Sequence, residues 1–244
     1  MDGALVRLKD LIRKSDNIVF FGGAGVSTES GIPDFRSEGG IYNMDYPYPP
    51  ETILSHSFFM RNMSEFYRFY RDKMLHPGAR PNKAHSALAE LERRGKLRAI
   101  VTQNVDNLHQ MAGSVNVLEL HGSCDRNVCM KCGRVFNLDV VLEADDIPLC
   151  PCRGAIKPDV VLFEEQLDQK VIERSVNAIR NAEVLIVGGT SLNVYPAAGL
   201  IQYYNGRQLV LINKSETSYD RYADIVIRDS IGDTLEAAIM DIDS

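Results

Sequence analysis

The sequence of 244 residues has no long apolar run, no surplus of basic residues and only five cysteines. None of its apolar runs approaches the roughly 20 residues that a membrane-spanning helix needs. The formal net charge of −6 argues against non-specific nucleic-acid binding and is compatible with cationic, lysine-bearing substrates. We therefore expect a cytoplasmic globular chain with neither a membrane nor a nucleic acid as partner, and its oligomeric state stays open.

Four of the five cysteines form two close pairs, Cys129-x-x-Cys132 and Cys150-x-Cys152. Such pairs suit metal binding in a reducing compartment better than a disulfide framework, because each pair can direct two thiolates at one ion. Four thiolates leave no open position on a tetrahedral ion, so the expected Zn²⁺ is structural. Cys124 is a spare thiol or a substitute ligand, and a set of unligated buried cysteines is the alternative. A nucleic-acid-binding ribbon is disfavoured, because acidic residues outnumber basic ones around these pairs.

Short apolar runs alternate with helical patterns along most of the chain, which is typical of a parallel sheet. The apolar runs predict strands over residues 18–21, 98–103, 117–120, 184–189, 209–213 and 224–227. The helical patterns cover residues 84–94, 169–181, 196–204 and 232–240. The predicted fold class is therefore α/β, with a Rossmann-like parallel sheet and helices on both faces.

Two segments interrupt this alternation and predict a smaller domain beside the sheet. One is rich in proline and aromatic residues, and the other contains the cysteines. We assign residues 1–35, 84–122 and 159–244 to the Rossmann-like domain. Residues 36–83 and 123–158 then form the small domain, which combines a helical excursion with a zinc ribbon.

A glycine cluster follows the first predicted strand, as in dinucleotide-binding turns, but its pattern is incomplete. Gly22, Gly23 and Gly25 let backbone N–H groups approach a pyrophosphate, or they only form a turn. Thr28 replaces the third glycine of G-x-G-x-x-G, and no acidic residue ends a second strand about 20 residues later. The chain therefore lacks the ribose-binding carboxylate of an ordinary hydride-transfer enzyme.

Polar residues follow two further predicted strands, where the carboxyl ends of a parallel sheet bring ligand-binding groups together. Gln103, Asn104 and Asp106 can bind ribose hydroxyls and a carboxamide, or they cap a helix. His121 can act as a general base at a strand end, or it is a structural histidine.

Seven segments of the chain resemble the sirtuins, the NAD-dependent protein-lysine deacylases, in their order and spacing. The matching segments are GAGVSTESGIPDFRS, TQNVDNLH, HGS, the two cysteine pairs, KPDVVLFEE, GGTSLNVYPAAG and INKS. The resemblance runs from Asp16 to Asp233, nearly the whole chain. It implies a bacterial-type protein-lysine deacetylase that consumes NAD as a co-substrate and holds a structural Zn²⁺.

The resemblance also implies the reaction. The acetyl group of acetyl-lysine passes to ADP-ribose, and nicotinamide, 2′-O-acetyl-ADP-ribose and free lysine are released. His121 would be the general base toward the ribose hydroxyls, and Asn104 is the second catalytic residue. Mono-ADP-ribosyl transfer and a non-catalytic module that binds NAD or ADP-ribose remain as alternatives.

Three groups of residues would bind NAD if the resemblance holds. The first loop meets the pyrophosphate, the polar segment after the second strand holds the nicotinamide ribose and carboxamide, and later loops hold the adenosine half. The full set is Gly23, Ala24, Gly25, Ser27, Thr28, Ile32, Asp34, Phe35, Arg36, Gln103, Asn104, Val105, Asp106, Gly189, Thr190, Ser191, Asn213, Lys214, Ser215 and Ile231.

Acetylated proteins or peptides are the implied partners, and their backbone would pair with two segments by β-augmentation. The implied substrate residues are Tyr67, Tyr70, Val161, Phe163, Leu192, Asn193 and Val194. The family's F-G-E reads Phe163-Glu164-Glu165 here, which leaves the sequence preference open. Tyr67-x-x-Tyr70 stands where sirtuins that remove succinyl or malonyl groups have Tyr-x-x-Arg, so acetyl is expected over succinyl.

Overall fold

A computed structural model describes residues 3–35, 37, 39–43 and 46–240. The strands in chain order are β1 (Ile18–Gly22), β2 (Leu97–Thr102), β3 (Val117–Glu119), β4 (Gly122–Cys129), β5 (Val135–Phe136), β6 (Ile156–Val160), β7 (Val184–Gly188), β8 (Leu209–Ile212) and β9 (Ile225–Ile227). Within the described residues, six of them form a parallel sheet in the order β3-β2-β1-β7-β8-β9. All six lie within one residue of the predicted bounds, so the predicted sheet is confirmed.

The helices agree with the predicted pattern except in one segment. They are α1 (Gly3–Lys14), α2 (Pro50–Ile53), α3 (His56–Arg61), α4 (Met63–Phe69), α5 (Lys83–Arg93), α6 (Leu108–Met111), α7 (Asp139–Leu142), α8 (Gln169–Asn181) and α9 (Ile231–Ile239). The segment predicted as a helix over residues 196–204 is instead 3₁₀ helix over Ala197–Tyr203. Among the described helices, none combines the length and the apolar character that crossing a membrane requires.

Helices cover both faces of the large sheet, and the side chains of neighbouring residues in a strand pack on opposite faces. Phe20 packs with α1, α5 and α9 on one side, and Phe21 packs with α8 and the 3₁₀ segment on the other. Both side chains are fully buried. Burial on two faces explains why β1 is a continuous apolar run rather than an alternating one.

The two segments that interrupt the alternation meet in a second core. Strands β5, β4 and β6 form a small antiparallel sheet in that order. Aromatic side chains from α3 and α4 pack together with Cys124, Val141 and Leu162 from the region around this sheet. The assignment of domain boundaries itself stays a prediction.

The order of the large sheet fixes where a site can form. β1 lies between β2 and β7, so the chain leaves β1 toward one half of the sheet and later returns to build the other half. In open α/β sheets this switch point opens a crevice at the carboxyl ends of the strands. The glycine loop after β1 and the loop after β7 both lie at this point.

Candidate active site

The glycine loop after β1 interlocks with the loop after β7. Gly25 donates its N–H to the Gly189 carbonyl at 2.8 Å, and Gly23 donates to the Gly188 carbonyl at 3.3 Å. A Cβ on Gly25 would lie 2.8 Å from the Gly189 Cα, and one on Gly23 would lie 2.8 Å from the Cβ of Thr190. These glycines are therefore required for the close contact between the two loops.

The segment after β2 is tied to the glycine loop through Ser27. The Ser27 hydroxyl donates to Asp106 at 2.5 Å and accepts from the Asn104 amide at 3.0 Å. Asp106 also accepts from the Leu108 N–H at 3.0 Å, which is the first N–H of α6. Asn104 and Ser27 are both buried. Asp106 therefore joins the start of α6 to this network.

His121 follows β3 and is held in one orientation by a backbone carbonyl. Its Nδ1 lies 2.9 Å from the Gln103 carbonyl oxygen, which can only accept, so Nδ1 carries the proton and Nε2 is the basic nitrogen of the neutral ring. Burial lowers the pKa of His121, and the bond to Gln103 opposes this effect. His121 is therefore a neutral base near pH 7.

Residues at the ends of β2, β7 and β8 form one further hydrogen-bonded chain. The Gln103 amide donates to the Thr190 hydroxyl at 3.1 Å, and the Thr190 N–H donates to Asn213 Oδ1 at 3.0 Å. Asn213 is 7% exposed, and among the described residues its buried Nδ2 has no acceptor. A buried donor without a partner is costly, which fits a ligand with a hydrogen-bond acceptor at this position.

The other predicted NAD residues lie on the first loop, at the start of α9 or in the segments that follow β2, β7 and β8. The Thr28 hydroxyl donates to the Gly25 carbonyl at 3.0 Å, and the Phe35 ring lies 5.9 Å from the ring of Tyr42. Ile231 begins α9 and packs against Gly188. Ala24 and Ile32 belong to the first loop, where Asp34 accepts from the Ser37 N–H. The Val105 carbonyl accepts from the Cys124 N–H. The exposed residues after β7 and β8 are Ser191, Lys214 and Ser215. Arg36 lies outside the described residues.

The four paired cysteines converge as the spacing predicts. All four Sγ atoms lie within 4.8 Å of one another, with Cys129 and Cys152 at 3.5 Å and Cys132 and Cys150 at 3.6 Å. Thiolates around one tetrahedral zinc ion are about 3.8 Å apart, which follows from a Zn–S bond of about 2.3 Å. The donor set therefore fits a closed zinc site, and Cys124 lies outside the cluster.

The predicted substrate residues divide into an open set and a buried set. Val161 donates its N–H to the His121 carbonyl, which places the VVLFEE segment beside the histidine, and Phe163 is 42% exposed. Tyr67 and Tyr70 are fully buried, and the Tyr67 hydroxyl donates to the Ile156 carbonyl. In the second segment, Leu192 is buried, Asn193 is exposed and Val194 is partly buried.

Glu164, which replaces the usual glycine, has a left-handed backbone with φ of 76°. Its carboxylate accepts from the N–H of Ser57 at 2.9 Å and from the Ser57 hydroxyl at 3.0 Å. These bonds offset part of the conformational cost that a non-glycine residue has there. They also link the segment to the start of α3.

Sequence reasoning missed two residues that hold the glycine loop. The Asn82 amide donates to the Val26 carbonyl at 2.8 Å, and Glu29 accepts from the Ser230 hydroxyl at 2.8 Å. Asn82 has a sequence signal of its own, because asparagine before an apolar-periodic segment is a helix N-cap. Glu29 has none, since its partner lies far along the chain.

Comparisons with known proteins agree with this arrangement. The sequence model of the Sir2 family matches residues 23–196. An NAD-dependent protein deacetylase of Clostridium acetobutylicum is 59% identical, covering 95% of this chain and 96% of its own length. A structure from a study of the mechanism and regulation of Sir2 enzymes has a TM-score of 0.89 at 37% identity, and the match covers 100% of this chain and 99% of the other.

A second solved structure contains ligands that bear on the reaction. It is a Sir2 enzyme with a histidine-to-alanine substitution, in complex with a deacetylated p53 peptide and 3′-O-acetyl ADP ribose. Its TM-score is 0.88 at 37% identity, and the match covers 96% of this chain and 97% of the other. By sequence model, identity and fold alike, the chain belongs to the Sir2 family.

Proposed function

We infer that this chain is an NAD-dependent protein-lysine deacetylase that transfers the acetyl group of acetyl-lysine to ADP-ribose. The observation that carries the proposal is the convergence of four strand ends on one crevice. Ser27, Asn104, Asp106, His121 and Thr190 come from separate parts of the chain and are joined there by the bonds described above. Relatives of the same family are named for this activity.

The residues at the crevice fit NAD. The pyrophosphate would lie beside the first loop and the loop after β7, and Asn213 Nδ2 would supply a buried donor for the adenosine half. When bound, NAD supplies an electrophilic ribose carbon and nicotinamide as the leaving group. The part of this chain is to bind and orient the dinucleotide through the Ser27 network, with Asn104 and Asp106 beside the ribose and the carboxamide.

His121 is the general base. The Gln103 carbonyl holds the proton on Nδ1, so Nε2 is free of a proton and can accept one from a ribose hydroxyl. Because burial lowers the pKa of His121, the ring stays neutral and competent at pH 7. Nicotinamide would leave when the acetyl oxygen of the substrate attacks the ribose carbon. Transfer of a ribose hydroxyl proton to Nε2 would then make that oxygen a nucleophile toward the acyl carbon, and addition of water would release free lysine and 2′-O-acetyl-ADP-ribose.

Zinc supports the fold and takes no part in this chemistry. Four thiolates from Cys129, Cys132, Cys150 and Cys152 occupy every position of a tetrahedral ion. The ion would fix the turns that carry the two cysteine pairs, and thereby the ends of β4 and β6. The cytoplasm, where thiols stay reduced, is the compartment that we propose for the protein.

The proposed partner is an acetylated protein or peptide whose backbone lies between the segments around Phe163 and Asn193. We propose that acetyl is preferred over succinyl, because Tyr70 is buried among aromatic side chains and offers no positive charge to a carboxylate. Turnover of acetyl-lysine and succinyl-lysine versions of one peptide tests this directly. Equal rates would contradict the proposed preference.

The decisive experiment is incubation of the chain with NAD and acetylated peptides, followed by mass spectrometry. Nicotinamide, free lysine peptide and acetyl-ADP-ribose should appear in equal amounts. The related complex carries the acetyl group on the 3′-oxygen. The readout is therefore the mass of acetyl-ADP-ribose rather than the position of its acetyl group.

Substitution of the base separates catalysis from binding. His121→Ala should abolish turnover and retain the melting temperature, while the matched change His76→Ala, in the loop before α5, should retain turnover. ADP-ribose attached to protein without deacetylation would favour mono-ADP-ribosyl transfer instead. ADP-ribose binding with no turnover in the wild-type chain would favour a non-catalytic module.

A further inference from the structure

The residue that caps helix α5, Asn82, also holds the loop after β1. We propose that Asn82 is a positioning residue for NAD, and that its side-chain amide keeps residues 24–30 in the conformation that receives the dinucleotide. This inference rests on the proposed function. Asn82 is outside the set of residues that the motifs assign to NAD, and its contacts are with the loop and with its own helix.

The two ends of the Asn82 amide have different partners. Its oxygen caps α5 by accepting from the N–H groups of Ala84 at 2.9 Å and His85 at 3.4 Å. Its nitrogen donates to the Val26 carbonyl at 2.8 Å and to the Ser30 hydroxyl at 3.0 Å. Capping requires only the acceptor, and asparagine, aspartate and serine all supply it. The amide nitrogen is therefore free to hold the loop while the amide oxygen caps the helix. Aspartate has no donor at this position, and serine has a single hydroxyl on a side chain one bond shorter.

The loop is also held from its other side, and the contacts form a closed ring. Ser27 donates to Asp106, which accepts from the first N–H of α6. On α6 the His109 ring lies 4.7 Å from the His85 ring of α5. His85 Nδ1 in turn accepts from the Asn82 N–H at 3.3 Å. Asn82 thus closes the ring between the loop and the two helices that support it.

A loop that is held before NAD arrives binds NAD more tightly than one that must be ordered by it. If loss of the tether leaves the loop competent for only a fraction of the time, the apparent dissociation constant rises by the inverse of that fraction. Bound NAD restores the same site, so the rate of the bound complex is retained. A residue that only capped α5 would change stability and leave the KM for NAD unchanged.

The test uses two variants that keep a capping oxygen and remove the amide nitrogen, Asn82→Asp and Asn82→Ser. Aspartate adds a charge near the pyrophosphate loop and serine does not, so an effect common to both reports the lost tether. We expect the KM for NAD and the Kd for ADP-ribose to rise about tenfold, which corresponds to two ordinary hydrogen bonds. The kcat should stay within about twofold of wild type, because the bound complex is restored.

Two further variants give a smaller expected effect and a control. Ser30→Ala removes one of the two acceptors and should give a smaller rise in the same constants. Asp168→Asn is the matched control, since Asp168 caps α8 by accepting from the N–H groups of Lys170 and Val171 and has no part in the ring. Its KM for NAD should equal that of wild type.

Unchanged KM and Kd in both Asn82 variants would overturn the proposal. So would a rise in KM that Asp168→Asn shares, because that pattern reports general loss of stability. A wild-type chain that binds ADP-ribose without deacetylating peptides would overturn the proposed function alone, and the Kd series would still test Asn82. A chain that binds neither NAD nor ADP-ribose would overturn both.

Discussion

In β1 of the large sheet all five residues are buried, whereas neither of the two residues of β5 in the small sheet is. The large sheet has a continuous apolar layer on each face. The core beside the cysteines contains Cys129, Cys150 and Ile156 as its buried members. A core of this size cannot offset the conformational entropy that the surrounding loops lose on folding. In small metal-bound modules, metal–ligand bonds offset that entropy loss. One chain therefore combines two sources of stability, apolar burial and metal coordination.

The largest effect should come from removing the metal ligands. Replacing both Cys150 and Cys152 by serine should release zinc and unfold the small sheet, because structural zinc contributes on the order of 10 kcal/mol of folding free energy. Metal content by mass spectrometry and thermal melting measure the two results. Cys124→Ala is the control and should retain the metal. Full zinc stoichiometry in the double variant would show that the ligands are misassigned, with Cys124 the first residue to reconsider.

A cavity in the large sheet should cost less and should not depend on metal. Phe21→Ala removes a fully buried ring and is expected to lower the free energy of unfolding by about 3–5 kcal/mol. The loss should be equal before and after a chelator is added, and zinc should stay bound before chelation. Val135→Ala, at a position 62% exposed, should change the free energy by less than about 0.5 kcal/mol. A chelator-dependent loss in Phe21→Ala would remove the distinction between the two regions.

Acid should weaken the large sheet through its buried histidines. Burial lowers the pKa of His109 to about 3, and the pKa values of His85 and His121 are lowered for the same reason. The unfolded chain binds more protons below pH 6.5, so stability is retained above that pH and falls as the pH decreases. At pH 5, His109 alone lowers the free energy of unfolding by about 2 kcal/mol relative to its value above pH 6.5.

His109→Leu tests this assignment, because leucine has similar bulk and no titratable group. Urea unfolding between pH 7 and pH 5 should show a flatter decline for the variant than for wild type. Zinc content must be constant over this range, since thiolate ligands also release metal in acid. Equal slopes for the two proteins would mean that the histidine is not the source of the decline.

The smallest effect is expected at Glu164. Replacing it by glycine relieves the left-handed backbone and removes the two bonds to Ser57, so the free energy of unfolding should change by less than about 1 kcal/mol. Gly122 has almost the same φ, 75°, but a Cβ there would collide with the Asp159 carbonyl. Gly122→Ala should therefore be strongly destabilising. Changes of equal size and opposite sign at the two positions would show that φ rather than space sets the cost.

The sequence predicted what depends on periodicity and short spacing. The six parallel strands were apparent as buried runs, and the cysteine pairs indicated one metal site. The role of Cys124 was left open by the sequence, and the structure places it outside the cluster. The convergence of His121 with the segment around Asn104 followed from the rule that strand ends meet. These features are local patterns, or they follow from a general rule of the fold.

Other features depend on which distant residues face each other, and no local pattern encodes that. The burial of Tyr67 and Tyr70 depends on aromatic side chains from neighbouring helices. The bond from Asn82 to Val26 could be predicted only if the position of Val26 relative to α5 were known. The capping of α5 by Asn82 is the part that has a local signal in the sequence. The 3₁₀ form of Ala197–Tyr203 likewise departs from a pattern that predicts ordinary helix.

The interlock of Gly25 with Gly189 also constrains when the site can form during synthesis. The first partner follows β1 near the start of the chain, and the second follows β7, after both halves of the small domain. A ribosome adds about 5–20 residues per second, so the loop after β7 is made on the order of ten seconds after the loop that follows β1. Until then β1 has an unpaired edge and an apolar surface. Such a surface is prone to aggregation, and early pairing of β1 with β2 covers one of its two edges before β7 is made.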